Sequence, residues 1–144
     1  MKRRKFVALT ALAVMTSERA AAGATQESED KVVYHLSDGL EQASNGLRNV
    51  GNHLEVNPNA KIVVVSHAKG VDFLMKDAKD KNGAKYEDLV EQLKLRGVQF
   101  DVCEITLRNR KLSKDQFIEY VAYVPSGVAE ISRLQHQGYA YLKP

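Results

Sequence analysis

Lys61-Ile62-Val63-Val64-Val65-Ser66 is the stretch that decides the fold class. Four consecutive branched apolar residues without polar alternation are typical of a central strand in a parallel sheet, where both faces are buried. Asn57-Pro58-Asn59 comes just before it and is expected to break a helix. Upstream of that break, apolar residues recur at steps of three and four from Leu40 to Leu54, which predicts a helix with one apolar face. The chain is therefore expected to alternate strands with helices.

The same alternation continues on both sides of this stretch. Four more strands are predicted, over residues 31–36, 98–103, 121–124 and 139–142. Further helices are predicted over 71–78, from Tyr86 to a stop at Gly97, over 113–119 behind a Ser113–Gln116 capping box, and from Ser126 to about Gly138. Strands separated by helices imply right-handed crossovers. The predicted fold class is α/β, a single domain over residues 31–144 with a five-stranded, mainly parallel sheet and helices on both faces.

Composition and charge narrow the functional classes. A chain of 144 residues with 44% hydrophobic and 27% charged residues fits one globular domain. The formal net charge is +3, but residues 1–24 contain five basic residues against Glu18 alone, so residues 25–144 carry a net charge of −1. A nucleic-acid binder needs a clustered basic surface to displace counterions. We therefore expect no nucleic-acid partner.

Residues 1–24 have the order of a secretory signal peptide. A basic run, Lys2 to Lys5, precedes an apolar stretch of ten residues and the small residues Ala22-Gly23-Ala24. Ten residues are too few to span a bilayer, which takes about 20. The segment Arg3-Arg4-Lys5-Phe6-Val7 also matches the twin-arginine consensus. We expect an exported, periplasmic protein that is cleaved near Ala24 and not held in the membrane, with residues 25–30 as a polar leader. A Sec-type signal is the alternative to the twin-arginine route. A basic tail on a cytosolic protein is the alternative to export.

The carboxyl ends of the predicted strands place one cysteine at the edge where α/β sheets bind ligands. Cys103 is the only cysteine in the chain, so it cannot form an internal disulfide. It is either a buried small apolar residue, a link between chains, or a reactive thiol. Arg108 and Arg110 follow it closely, and neighbouring cations favour the thiolate, which is the nucleophilic form.

Two histidines and one helix start belong to the same predicted edge. His35 and His67 lie at the ends of predicted strands. No H-x-x-H or C-x-x-C spacing completes a zinc site, so no metal is predicted. The two histidines are either simply exposed, or one of them tunes the Cys103 thiol. Ser126 and Gly127 begin a helix, where their backbone amides can hold an anion or Ser126 can act only as a cap. Phosphate-loop and G-x-S-x-G motifs are absent from the sequence, and no cofactor is predicted.

Four segments together resemble the DsrE/DsrF-like family, which has the YchN fold. The most specific is the C-terminal run from Val124 to Ile131, continued by Leu134-Gln135 and by Gly138 to Pro144. The likeness covers residues 31–144, and its other three segments are residues 32–38, 61–67 and 97–103. It implies a five-stranded parallel domain that assembles with itself, often as a homotrimer or homohexamer.

The resemblance also implies a role for the cysteine. Sulfur-relay members of the family carry sulfane sulfur as a persulfide on a cysteine that follows a strand, and Cys103 falls at that position. Those members work in the cytoplasm, and an arginine-glycine pair often follows their cysteine where this chain has Arg110-Lys111. Our leading hypothesis is an exported sulfur carrier that exchanges sulfur with a donor or acceptor protein. The alternatives are a non-catalytic module that binds a small anion or metal at the strand-end cleft, and a structural oligomer.

Overall fold

The computed structural model describes residues 29–144; the predicted signal peptide and residues 25–28 of the leader lie outside the described residues. No helix in the described part is long and apolar enough to span a membrane. Strands and helices alternate along residues 29–144. Their order is β1 (Lys31–Leu36), α1 (Leu40–Val56), β2 (Lys61–Ser66), a 3-10 helix (Ala68–Leu74), α2 (Tyr86–Leu95), β3 (Gln99–Cys103), α3 (Glu104–Arg110), a short 3-10 helix (Lys114–Gln116), β4 (Ala122–Val124), α4 (Gly127–His136) and β5 (Ala140–Leu142).

The five strands form one sheet in the order β4-β3-β2-β1-β5. Every neighbouring pair is parallel, so the sheet is wholly parallel and the predicted α/β class is confirmed. The apolar stretch after Lys61 is the central strand, and all five of its remaining residues are buried. Because β1, β2 and β3 are adjacent and parallel, their carboxyl ends lie side by side at one edge of the sheet.

The two faces of the sheet are covered unequally. Helices α1, α2 and α3 and the longer 3-10 helix contribute to a large core on one face, which holds Val64, Phe100 and Val102. On the other face α4 covers a smaller core, in which Ile131 and Leu134 pack with Val33, Val63 and Val65 of β1 and β2. Alternate residues of each strand point to opposite faces, so the odd-numbered residues at the ends of β1, β2 and β3 lie on the α4 side.

The helix predicted over residues 71–78 is instead a 3-10 helix over Ala68–Leu74. It ends early because Met75 pairs with Phe117 in an antiparallel bridge, which requires extended backbone. The same bridge explains why the helix predicted over residues 113–119 is also shorter than expected. The predicted capping box of Ser113 and Gln116 is present, but its helix is a single 3-10 turn that ends at Gln116 rather than at residue 119.

The short helix α3 was not predicted. It begins at Glu104, directly after β3, with no glycine or proline to mark the change from strand to helix. Its one strongly buried apolar residue is Leu107, which joins the large core. One such residue gives no helical periodicity, so the sequence here indicates only a polar and basic stretch.

We expect Asp101→Asn to stabilise the protein at neutral pH. Asp101 lies wholly buried on β3, and its Oδ2 has no hydrogen-bond partner within residues 29–144. Burial raises the pKa of this carboxyl, although the Gln99 side-chain amide, which donates to Oδ1 at 2.8 Å, opposes the shift. The folded-state pKa therefore exceeds the unfolded-state value of about 3.9. The free energy of unfolding consequently falls as the pH rises from the unfolded-state pKa through the folded-state pKa.

Asparagine keeps the acceptor for Gln99 and removes the buried charge. Urea denaturation at pH 7 should give a free energy of unfolding for Asp101→Asn about 1 kcal/mol above that of the wild type. The difference should shrink towards pH 3, where the wild-type carboxyl is protonated. A variant less stable than the wild type at pH 7 would contradict this prediction.

Candidate functional site

Cys103 ends β3 and is at the same time the residue that precedes α3. Its side chain lies on the α4 face of the sheet and is 5% exposed. The first residue of α4, Gly127, packs directly against it. A Cβ atom at Gly127 would lie 3.2 Å from the Cβ atoms of both Cys103 and His67. A glycine is therefore what allows α4 to approach these two side chains.

Polar N–H and O–H groups lie around the thiol of Cys103. The backbone N–H groups of Gly127, Thr106 and Ile105 and the Thr106 hydroxyl are close enough to its sulfur to favour the charged thiolate. Burial alone raises the pKa of the thiol, but these donors together outweigh burial and bring the pKa below its ordinary value. The thiolate, which is the nucleophilic form, is thus more populated at neutral pH than in an ordinary cysteine.

Cys103 borders an open cleft of about 540 Å³. The cleft walls include the apolar side chains of Ile105 and Val128, which are 38% and 62% exposed. Among residues 29–144, none that lines the cleft is an aspartate or a glutamate. The residues that line it are His67, Ala68, Lys69, Cys103, Ile105, Thr106, Asn109, Arg110, Ser126 and Val128.

The two predicted arginines have different positions. Arg110 lines the cleft, and its guanidinium donates to the backbone oxygen of Ala68 at 2.9 Å and to Asp72 at 2.6 Å. Its charge is therefore partly balanced by Asp72. Arg108 lines a separate groove on α3 with Glu104 and does not line the cleft at Cys103. The exposed Lys69 also lines the cleft and adds a second cation to it.

The two predicted histidines contact each other. The Nε2 atoms of His35 and His67 are 2.6 Å apart, and the rings stack with centroids 4.8 Å apart. His67 lines the cleft, whereas His35 lies behind it and bonds through Nδ1 to the Tyr141 hydroxyl at 2.7 Å. Burial lowers the pKa of both imidazoles, and the Lys143 charge lowers both pKa values further. The Asp38 carboxylate, which is near both rings, opposes the shift.

Ser126 and Gly127 occupy the start of α4, as predicted. The Ser126 hydroxyl accepts the Ala129 backbone N–H at 3.3 Å, so it caps the helix, and it lines the cleft as well. The Gly127 N–H is directed to the cysteine sulfur. Within residues 29–144 no group of three His, Cys, Asp or Glu side chains is placed to hold a metal ion.

Sequence reasoning missed Thr106 and Tyr141. Thr106 donates to Cys103 and accepts the Ala68 backbone N–H at 2.9 Å, a role that depends on the unpredicted helix α3. Tyr141 was placed on the last strand without a role. Its position opposite Val33 of β1 puts it on the α4 face beside His35. Strand alternation could have found it only if the pairing of β5 with β1 had been known.

Comparisons with known proteins agree with this architecture. A solved structure described as a protein of unknown function, MTH1491 from Methanobacterium thermoautotrophicum, is similar with a TM-score of 0.72 and 32% identity, covering 81% of this chain and 100% of that one. The YchN protein from E. coli shares the fold with a TM-score of 0.66 and 18% identity, covering 81% and 99% of the two chains. No curated protein sequence matches the chain. The model of the DsrE/DsrF-like family matches residues 10–144, nearly the whole length, and the chain therefore belongs to that family.

Proposed function

We propose that this protein is an exported sulfur carrier in which Cys103 accepts sulfane sulfur as a persulfide and passes it on. The observation that carries the proposal is the single thiol at the border of an open cleft, where the nearby N–H and O–H groups of Gly127, Thr106 and Ile105 lower its pKa. A buried cysteine that only fills space has no need of four donors. Membership of the DsrE/DsrF-like family supports a sulfur-related role.

The transfer needs no cofactor. The Cys103 thiolate attacks the outer sulfur of a donor R–S–SH, a new S–S bond forms at Cys103, and the donor's own S–S bond breaks with its electron pair leaving on RS⁻. The sulfane sulfur keeps its oxidation state, so no separate oxidant or reductant takes part.

The cleft favours an anionic small-molecule donor. Its volume of about 540 Å³ lies within the range of small-ligand pockets and exceeds the space that one sulfur atom needs. Lys69 and Arg110 supply positive charge, and the lining contributed by the described part of the chain includes no carboxylate to repel an anion. The same features favour the alternative of a non-catalytic site for a small anion, which the experiment below distinguishes.

Export and self-assembly are further parts of the proposal. The basic, apolar and small-residue order of residues 1–24 supports export to the periplasm by a signal that is then removed. Family membership supports self-assembly as a homotrimer or homohexamer.

The direct test uses residues 25–144 of the wild type. After incubation with polysulfide or thiosulfate, intact-mass analysis should show a gain of one sulfur atom on the single cysteine, removed by a reducing agent. Because the pKa of Cys103 is lowered, the rate of alkylation by iodoacetamide should reach half its maximum at a pH below the ordinary thiol value. A thiol that alkylates only after denaturation, with no sulfur adduct, would contradict the proposal and favour the binding module.

A further inference from the structure

We propose that His67 carries the proton of the sulfur transfer at Cys103, with His35 and Tyr141 positioning it and connecting it to solvent. This inference rests on the proposed function, since it assigns the acid–base group of that same site. His67 is the titratable ring that lines the cleft beside Cys103. The Cβ atoms of both residues lie 3.2 Å from the Cβ position of Gly127, so their side chains enter the cleft from adjacent points.

The histidine pair leads from the cleft to the surface. His67 bonds through Nε2 to Nε2 of His35 at 2.6 Å, and His35 bonds through Nδ1 to the Tyr141 hydroxyl at 2.7 Å. Tyr141 is 41% exposed and so meets solvent. A hydrogen bond between two imidazole nitrogens requires that one donates and the other accepts. A proton that arrives at Nδ1 of His67 can therefore be balanced by one that leaves Nε2 towards His35.

The charged neighbours keep this pair ready to accept a proton. Burial and Lys143 lower the pKa of both rings, the positive charge of one ring disfavours a second on its neighbour, and the Asp38 carboxylate partly compensates. On the cleft side the cations are Lys69 and Arg110, the latter paired with Asp72. Both imidazoles thus favour the neutral form more than an ordinary histidine does, and the neutral form is the one that a general base requires.

These contacts assign different roles to His67 and to the groups around the Cys103 sulfur. The amides and Thr106 already hold the charge of the Cys103 sulfur, so His67 is not needed to stabilise it. What the reaction still lacks is a carrier for the thiol proton. Cys103–SH gives its proton to His67, directly or through a water, and its sulfur bonds to the outer sulfur of R–S–SH. As the donor's S–S bond breaks, His67 returns the proton to RS⁻, and Cys103–S–SH and R–SH are the products.

The test compares two reagents that differ in the acidity of the thiol they release. The persulfide of 2-mercaptoethanol releases a weakly acidic aliphatic thiol that benefits from protonation, whereas DTNB releases an aromatic thiolate that does not. For His67→Gln we expect the rate with the persulfide to fall about 100-fold and the rate with DTNB to stay within about twofold. For His35→Gln and Tyr141→Phe we expect a smaller loss, about tenfold, again confined to the persulfide. The control is His136→Gln, an exposed histidine at the far end of α4.

Each outcome has a separate meaning. If the wild type takes no sulfur from the persulfide, the proposed function fails. If the wild type takes sulfur and His67→Gln matches it with both reagents, the sulfur carrier stands and the role of His67 is overturned. If His67→Gln slows both reagents equally, the histidine does not protonate the leaving thiolate, and the inference is again overturned. An unchanged DTNB rate also verifies that the variant is folded with its thiol accessible.

Discussion

Cys103→Ser should abolish sulfur loading and leave the fold of residues 29–144 intact. A serine hydroxyl is close in size to the thiol and can accept the same hydrogen bonds from Gly127 and Thr106, so the packing between β3 and α4 is kept. The hydroxyl is not ionised at neutral pH and forms no persulfide. Intact-mass analysis after polysulfide treatment should therefore show no added sulfur, while circular dichroism and the thermal midpoint stay near those of the wild type.

The same variant separates the two leading functions. If the cleft is a non-catalytic anion site, its affinity for thiosulfate depends on Lys69, Ser126 and Gly127 and survives in Cys103→Ser. If Cys103 is the working group, the wild type forms a stable adduct that the variant lacks, whatever the residual affinity for the free anion. Sulfur loading of Cys103→Ser at the wild-type level would contradict our assignment, because no other cysteine is present.

The sheet was predictable because its signals are local and strong. The unbroken apolar run before Ser66 indicates a strand buried on both faces, and β2 is indeed central. The strand-end rule then gathers His35, His67, Cys103 and Ser126 at one edge without any knowledge of side-chain contacts. Strand alternation also places Cys103 on the face opposite Phe100 and Val102, as the structure has it.

The local chemistry of the cleft was not predictable in the same way. The strand order β4-β3-β2-β1-β5 decides that Tyr141 meets His35, and hydrophobic patterning carries no information about which edge strand joins β1. Helix α3 supplies Thr106 to the thiol, but a helix of seven residues with one apolar anchor leaves no periodic signal. The same helix directs Arg108 away from Cys103 while Arg110 stays at the cleft. Two residues that are two positions apart lie on different sides of a helix, but the sequence did not predict a helix here, so it could not separate the two arginines.

Gly70→Ala is expected to be the most destabilising of the glycine-to-alanine changes in the described chain. A Cβ at this position would lie 2.1 Å from the backbone oxygen of Leu36 and 2.6 Å from the backbone nitrogen of Ser37. Both are main-chain atoms at the end of β1, so relief requires the 3-10 helix or the strand to move. We expect a loss of about 3 kcal/mol or more in the free energy of unfolding, measured by urea denaturation.

Gly51→Ala is the matched control for this change. Gly51 lies within α1, and a Cβ there would meet nothing within 4 Å. Alanine in a helix interior is favoured over glycine, so this variant should be more stable than the wild type by about 0.5–1 kcal/mol. Equal stabilities for the two alanine variants would contradict the close approach at Gly70.

The close approach at Gly70 also links the fold to the cleft. The Leu36 oxygen that a new Cβ would strike accepts the backbone N–H of His67 at 3.1 Å, and the Gly70 N–H is in turn donated to the His67 backbone oxygen at 2.9 Å. Any movement that relieves the clash therefore displaces His67 relative to His35, the residue before Leu36 on the neighbouring strand. Folded Gly70→Ala should consequently lose sulfur transfer from the 2-mercaptoethanol persulfide more than its reaction with DTNB, as His67→Gln does, since both disturb the same ring.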